Sequence, residues 1–230
     1  AFTASWLKRR FMQEVGAAAM LRHPGILPVI DAWIEDPGVP YLVMRRVDGP
    51  TLRTYLNERG RLNQDSAALL LKALCGIVGE AHSRGVVHCD LKPENVLLEL
   101  VDEHLQPLVI DFGTSALRLE ASTLSHLTQP AGTVRYMAPE QLLGQYSTAS
   151  DVYALALIAI EMFTGEQYAD WNLAFDDVWK QNLCAKIVSF GVSEAAAQAI
   201  ASGLRFNPGE RENDLVLWCA RLIDSLEKVC

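Results

Sequence analysis

The segment SDVYALALIAIEMFTG, residues 150–165, constrains the fold more than any other part of the chain. Its composition suits a helix, it stops at a glycine, and it is apolar on nearly every face. A helix without a polar stripe has no side to offer water, so it is buried among other elements. The run is broken by Glu161 and is too short to cross a bilayer. Half of the 230 residues are hydrophobic, ample for a sizeable core in one or two compact domains.

The rest of the chain sorts around that helix. Residues 5–21 place Leu7, Phe11, Met12, Val15 and Met20 at roughly helical spacing, ended by HPG. GILPVIDAWIED and PYLVMRRV flank the turn EDPGVP and predict a hairpin. TLRTYLNERG reads as a short helix closed by Gly60. NQDSAALLLKALCGIVGEAHSRG reads as a longer one with Gly85 at its C-terminal cap. Three short β-like runs follow: VVH, NVLLEL and PLVIDFG. Residues 114–139 are rich in Ser and Thr and lack periodicity, which predicts a long loop of the functional or mobile kind. SEAAAQAIASGLRF and ENDLVLWCARLIDSL continue the helical body.

Charge and cysteine usage exclude several function classes. A net charge of −8 argues against nucleic-acid partners and anionic membranes, and the one basic run, LKRR at residues 7–10, reads as a solvated helix face. Five scattered cysteines, never spaced C-x-x-C, suit neither a disulfide framework nor a zinc site, and predict a reducing, cytoplasmic setting, whether for a free protein or for the cytosolic domain of a membrane-anchored one. No His–acid–His pairing suggests a metal helix.

The chemistry concentrates in HCDLKPENVLL, residues 88–98, and in the IDFG that ends at Gly113. Asp111 lies sixteen positions beyond Asn95. A loop–strand–turn–strand path would bring the two together at adjacent strand ends. A carboxylate and an amide oxygen facing one point suit a hard cation such as Mg²⁺. Lys92 adds a compact positive charge, and Asp90 an acceptor able to orient and deprotonate a hydroxyl. Those are the parts needed to pass a phosphoryl group to an alcohol.

HCDLKPENVLL, VIDFG and GTVRYMAPE occur in order and at suitable separations. Together they resemble the catalytic loop, metal-binding motif and activation-segment end of the eukaryotic-like Ser/Thr protein kinase family. The resemblance implies an α+β, two-lobed fold. Residues 1–47 would form a partial N-lobe of one helix and two strands, and residues 48–230 a mostly helical C-lobe. It implies ATP and Mg²⁺ as cofactors and a protein substrate with a Ser or Thr acceptor. Asp90 matches the catalytic base, Lys92 the γ-phosphate lysine, and Asn95 and Asp111 the metal ligands. Thr133 matches the threonine that bridges Asp90 and Lys92. Met44 falls at the gatekeeper position, Val47 beside the adenine, and Glu14 at the helix glutamate that pairs with an ATP-positioning lysine. Glu140 would pair with Arg211, Asp151 would hold the catalytic-loop backbone, and His88 and Phe112 would serve packing.

The sequence departs from the family pattern in three places, the least of them Gly16 and the three alanines of EVGAAAML, where relatives carry bulkier residues and a loosely docked helix is expected. Cys89 stands where many relatives carry an arginine that grips an activation-loop phosphate, a contact a thiol cannot make. Activity independent of phosphorylation at Ser122, Thr123, Ser125 or Thr128 is therefore expected. The glycine-rich loop and strand lysine belong upstream of Glu14, yet only thirteen residues precede it. The chain also opens without methionine, so the expectation is an inactive piece of a longer, multi-domain protein. The alternatives are a pseudokinase acting as a binding scaffold, and a small-molecule phosphotransferase, which GTVRYMAPE argues against.

Overall fold

The computed structural model describes residues 11, 15–16, 19–35, 39–102, 104–112, 135–167 and 177–227. Of the N-terminal helix expected over residues 5–21, residues 11, 15, 16, 19 and 20 are helical. Strand β1 (Val29–Glu35) pairs antiparallel with β2 (Val39–Met44) in a two-stranded sheet, with Trp33 opposite Tyr41. Their rings stack at 5.5 Å, yet both remain exposed, as do Ile30, Val39 and Leu42. This is the small lobe, and its hairpin is the one the EDPGVP turn predicts.

The chain leaves β2 through Arg45, whose guanidinium grips Glu99, and then passes close to β3 (Val96–Val101). A Cβ on Gly49 would stand 1.9 Å from the Leu98 carbonyl oxygen, so only glycine fits that crossing. Helix α1 (Leu52–Arg59) starts at Thr51, whose hydroxyl accepts from the Thr54 N–H. Helix α2 (Gln64–Ser83) starts at Asn63, whose side chain accepts from Ser66. It closes at Gly85, whose φ of 75° lets its N–H reach the His82 carbonyl.

Strand β3 pairs antiparallel with β4 (His104–Val109), and Val96 faces Val109. The expected strand at VVH is absent: residues 86–88 are irregular. The N–H of His88 goes to a carboxylate instead of a neighbouring strand, for reasons the site makes plain.

Helix α3 (Thr148–Thr164) is the buried helix that residues 150–165 require, with every residue from Ala149 to Thr164 inside. Gly165, at φ 75°, ends it. It is enclosed by α2, α4 (Asp177–Ser189), α5 (Glu194–Ser202) and α6 (Leu215–Glu227). Trp218 of α6 is fully buried and donates its indole N–H to the Ala199 carbonyl. The architecture is two-lobed α+β, with a mostly helical large lobe and a partial small lobe.

Candidate active site

The loop between α2 and β3 is shaped by one buried carboxylate. Asp151, in the first turn of α3, accepts the His88 N–H at 2.7 Å on Oδ2 and the Cys89 N–H at 2.8 Å on Oδ1. His82 of α2 donates from Nε2 to the same Oδ2 at 2.8 Å. Cys89 can then adopt φ 66°, in the left-handed region that most side chains avoid, because its backbone partners compensate for the strain. The expected role of Asp151 is thus met, while the share taken by His82 was not foreseen. The two residues lie 69 positions apart, and nothing local in the sequence links them.

His88 is a fixed neutral group rather than a proton shuttle. Its Nε2 donates to the Ile110 carbonyl at 3.0 Å, and its Nδ1 accepts from the Asp90 N–H at 3.3 Å. One tautomer, protonated on Nε2, meets both demands. Burial pushes its pKa below the ordinary histidine value, against the opposing pull of Asp151. The ring packs 4.7 Å from Phe112, so both residues have the packing role expected of them.

The polar cluster follows immediately. Lys92 Nζ donates to Asp90 Oδ2 at 2.7 Å, and both side chains are largely but not fully enclosed. Asn95, buried in the short 3₁₀ turn Pro93–Asn95, donates from Nδ2 to the Asp90 carbonyl at 2.9 Å and to Oδ2 at 3.4 Å. With Nδ2 committed there, the amide oxygen Oδ1 is the end that could meet a cation. The Ile110 N–H donates to the Asn95 carbonyl, and the Val96–Val109 pairing holds the two strand ends side by side. Asp111 therefore follows Ile110 next to Asn95, exposed and at φ 61°. One amide and one carboxylate oxygen are a fitting partial shell for Mg²⁺, which binds few protein ligands and keeps the rest for water and phosphate.

Other expected residues are placed less closely. Met44 ends β2 and Val47 lies in the segment between β2 and α1, both half-buried. Glu14 and Thr133 lie outside the described residues, as do Ser122, Thr123, Ser125 and Thr128.

Two ion-pair clusters, the first buried and the second partly so, tie the surrounding elements together. Arg211 pairs with Glu140 through both oxygens at 2.6 and 2.8 Å, as expected, and also donates to the Ala149 and Phe206 carbonyls. The Ser150 hydroxyl donates to Glu140 at 2.9 Å, and the guanidinium lies 4.9 Å from the Tyr153 ring centre. The second cluster was not foreseen. Arg53 of α1 reaches Glu94 in the Pro93–Asn95 turn, Glu161 of α3, and the Tyr136 hydroxyl. Burial opposes the Arg53 charge, but hydrogen bonds to Glu161 and Glu94 outweigh it and hold its pKa up. Burial likewise pushes the Tyr136 phenol well up, with the Glu161 charge adding to it. The one sequence signal was Glu161 itself, a lone acid in an apolar helix, which must find a partner when buried.

The sequence profile of the family described as "Protein kinase domain" matches residues 3–212. "Serine/threonine-protein kinase PrkC" of Bacillus subtilis is 36% identical over 159 residues, covering 68% of this chain and 24% of that protein. "Probable serine/threonine-protein kinase PknB" of Lactococcus lactis is 38% identical over 158 residues, with the same shares covered. The chain thus spans about a quarter of the length of these curated relatives. Among solved structures, the Mycobacterium tuberculosis PknI kinase domain aligns at a TM-score of 0.70 and 26% identity, covering 95% of this chain and 78% of the other. A chain of Rad53 crystallised with AMP-PNP shares the fold at a TM-score of 0.72 and 23% identity, covering 93% of this chain and 54% of the other.

Proposed function

Because this chain belongs to the protein kinase domain family, we propose that it carries the catalytic core of a Ser/Thr protein kinase. Its reaction would transfer the γ-phosphoryl group of ATP to a Ser or Thr hydroxyl of a protein. The observation that carries this is the Asp90–Lys92–Asn95 cluster set beside Asp111.

Asp90 would accept the acceptor hydroxyl's proton and aim its oxygen in line. Its carboxylate is already oriented by Lys92 and Asn95, so little reorganisation remains for the reaction. Lys92 would turn from Asp90 toward the transferring phosphoryl and offset its charge. Asn95 Oδ1 and the Asp111 carboxylate would hold Mg²⁺, which when bound neutralises the phosphate oxygens. Thr133 would bridge Asp90 and Lys92, favouring alcohol acceptors. Met44 and the Val47 backbone would border the adenine, and Glu14 would orient a lysine that seats the nucleotide. The lobe boundary would fall at Val47. Among the described residues no helix is long and apolar enough to cross a membrane.

The test is Mg²⁺-dependent phosphate incorporation by the full-length protein, with Asp90→Asn and Asp111→Asn alongside. Both substitutions should lower turnover by about 10³-fold or more, the scale of losing a positioned base or a metal ligand. Equal incorporation in either variant would overturn the assignment. Nucleotide binding without any turnover in the unsubstituted protein would make it a binding module.

A further inference from the structure

The position before the catalytic aspartate is a cysteine, so the loop carries no cation there to reach toward the activation segment. It is nonetheless joined to that segment's end. Gln141, only 2% exposed, lies in the 3₁₀ turn Pro139–Leu143. Its Oε1 accepts from the Ala138 N–H at 2.7 Å, and its Nε2 donates to the Cys89 carbonyl at 2.8 Å.

The carbonyl it holds belongs to the peptide unit between Cys89 and Asp90. The other end of that unit, the Asp90 N–H, donates to His88 Nδ1. Both polar atoms of one peptide plane are therefore taken by buried side chains, while the plane before it is fixed by Asp151. Any rotation of the Cys89–Asp90 unit would swing the Asp90 side chain and break both bonds. No charge takes part in the Gln141 link, so it needs no phosphate to form.

Building on the kinase reading above, we infer that Gln141 is a positioning residue that couples the seating of the segment before Pro139 to the orientation of Asp90. It is a neutral, phosphate-independent substitute for an arginine–phosphate grip. When Ala138 is in place, Gln141 is oriented and the Asp90 peptide is locked. When Ala138 moves away, Gln141 Oε1 loses its donor, the amide is no longer oriented, and the lock loosens.

Gln141→Met keeps the length and the apolar stem but removes both hydrogen bonds. In the full-length protein it should lower kcat by about 10-fold or more and leave the KM for ATP within about twofold. Gln141→Glu gives a sharper reading. Ionised, it can accept from Ala138 but sets a second acceptor against the Cys89 carbonyl. Protonated, it can donate to that carbonyl, and burial raises its pKa toward the assay range. The kcat of Gln141→Glu relative to the unsubstituted protein should therefore rise several-fold from about pH 8.5 to about pH 6. A flat ratio in a folded variant, or a Gln141→Met kcat within about twofold of normal, would overturn the inference. Should Gln141→Met fail to fold, the Gln141→Glu pH profile decides. Amide exchange separates this from the kinase reading: the Asp90 N–H should exchange faster in Gln141→Met whether or not the protein turns over. Unchanged exchange there would refute the link, whereas absent turnover in the unsubstituted protein would refute only the kinase reading.

Discussion

Removing the cation from the Glu140–Arg211 pair should be among the most damaging single changes to this fold. Arg211 is completely enclosed at its side chain, and Glu140 retains 5% exposure. The Arg211→Met substitution keeps volume and apolar stem but leaves Glu140 with the Ser150 hydroxyl as its remaining described side-chain donor. It also strips a donor from the carbonyls of Ala149, Arg205 and Phe206. An uncompensated buried charge of this kind costs about 3–5 kcal/mol. For a chain of this size each kcal/mol moves the melting midpoint by about 2–4 °C, so a fall of roughly 6–20 °C is expected. Differential scanning calorimetry on the single variants and on Glu140→Leu/Arg211→Met gives the full cycle. The double variant should regain much of the loss, because no charge is then stranded. A midpoint within about 2 °C of normal for Arg211→Met, or a double variant no better than the single, would refute the reasoning.

Three shorter predictions accompany that one, beside those for Asp90, Asp111 and Gln141. Because burial holds the folded His88 pKa below 6.5, the unfolded chain gains its proton first as pH falls; the resulting stability is complete above pH 6.5 and lost below it, toward the lower folded pKa. In His88→Gln the slope of unfolding free energy against pH across that window should flatten, and an unaltered slope would exclude His88 as its source. Replacing Ser122, Thr123, Ser125 and Thr128 together by alanine should leave phosphate transfer to an added protein substrate within about threefold, since Cys89 offers no grip for a phosphate; complete loss would show a phosphate requirement. Tyr136→Phe removes a hydroxyl that donates to buried Glu161 and should cost about 1–3 kcal/mol in chemical denaturation, with an effect below about 0.5 kcal/mol speaking against a buried bond there.

What the sequence made legible were features carried by neighbouring residues. The apolar run of α3, the EDPGVP hairpin, the caps at Gly60 and Gly85, and the DLKPEN cluster all announce themselves within a few positions. VVH misled because β-branched residues suit a strand, while the backbone there is claimed by Asp151 from 62 and 63 positions away. Helix α4 escaped notice because its polar and apolar residues form no clear stripe. The Arg53–Glu161–Tyr136 cluster and the His82–Asp151 contact exist only once distant elements pack, so residue spacing could not reveal them. Gln141 lay in plain view beside Glu140, but its use depends on a carbonyl 52 positions earlier.

The burial of α3 has one more consequence, which concerns phase. Near its start the helix presents Ser150 and Asp151 to the loop and to Glu140, and ten residues on it presents Glu161 to Arg53 and Tyr136. At 1.5 Å per residue the two stations stand about 15 Å apart on one rod, at a fixed angular offset. One residue inserted between them would rotate one station by about 100° against the other. Side-chain substitutions inside α3 can be absorbed by repacking, but a change in its length cannot. The helix is a gauge whose count of residues keeps the Asp90 loop and the Pro139–Leu143 turn in register.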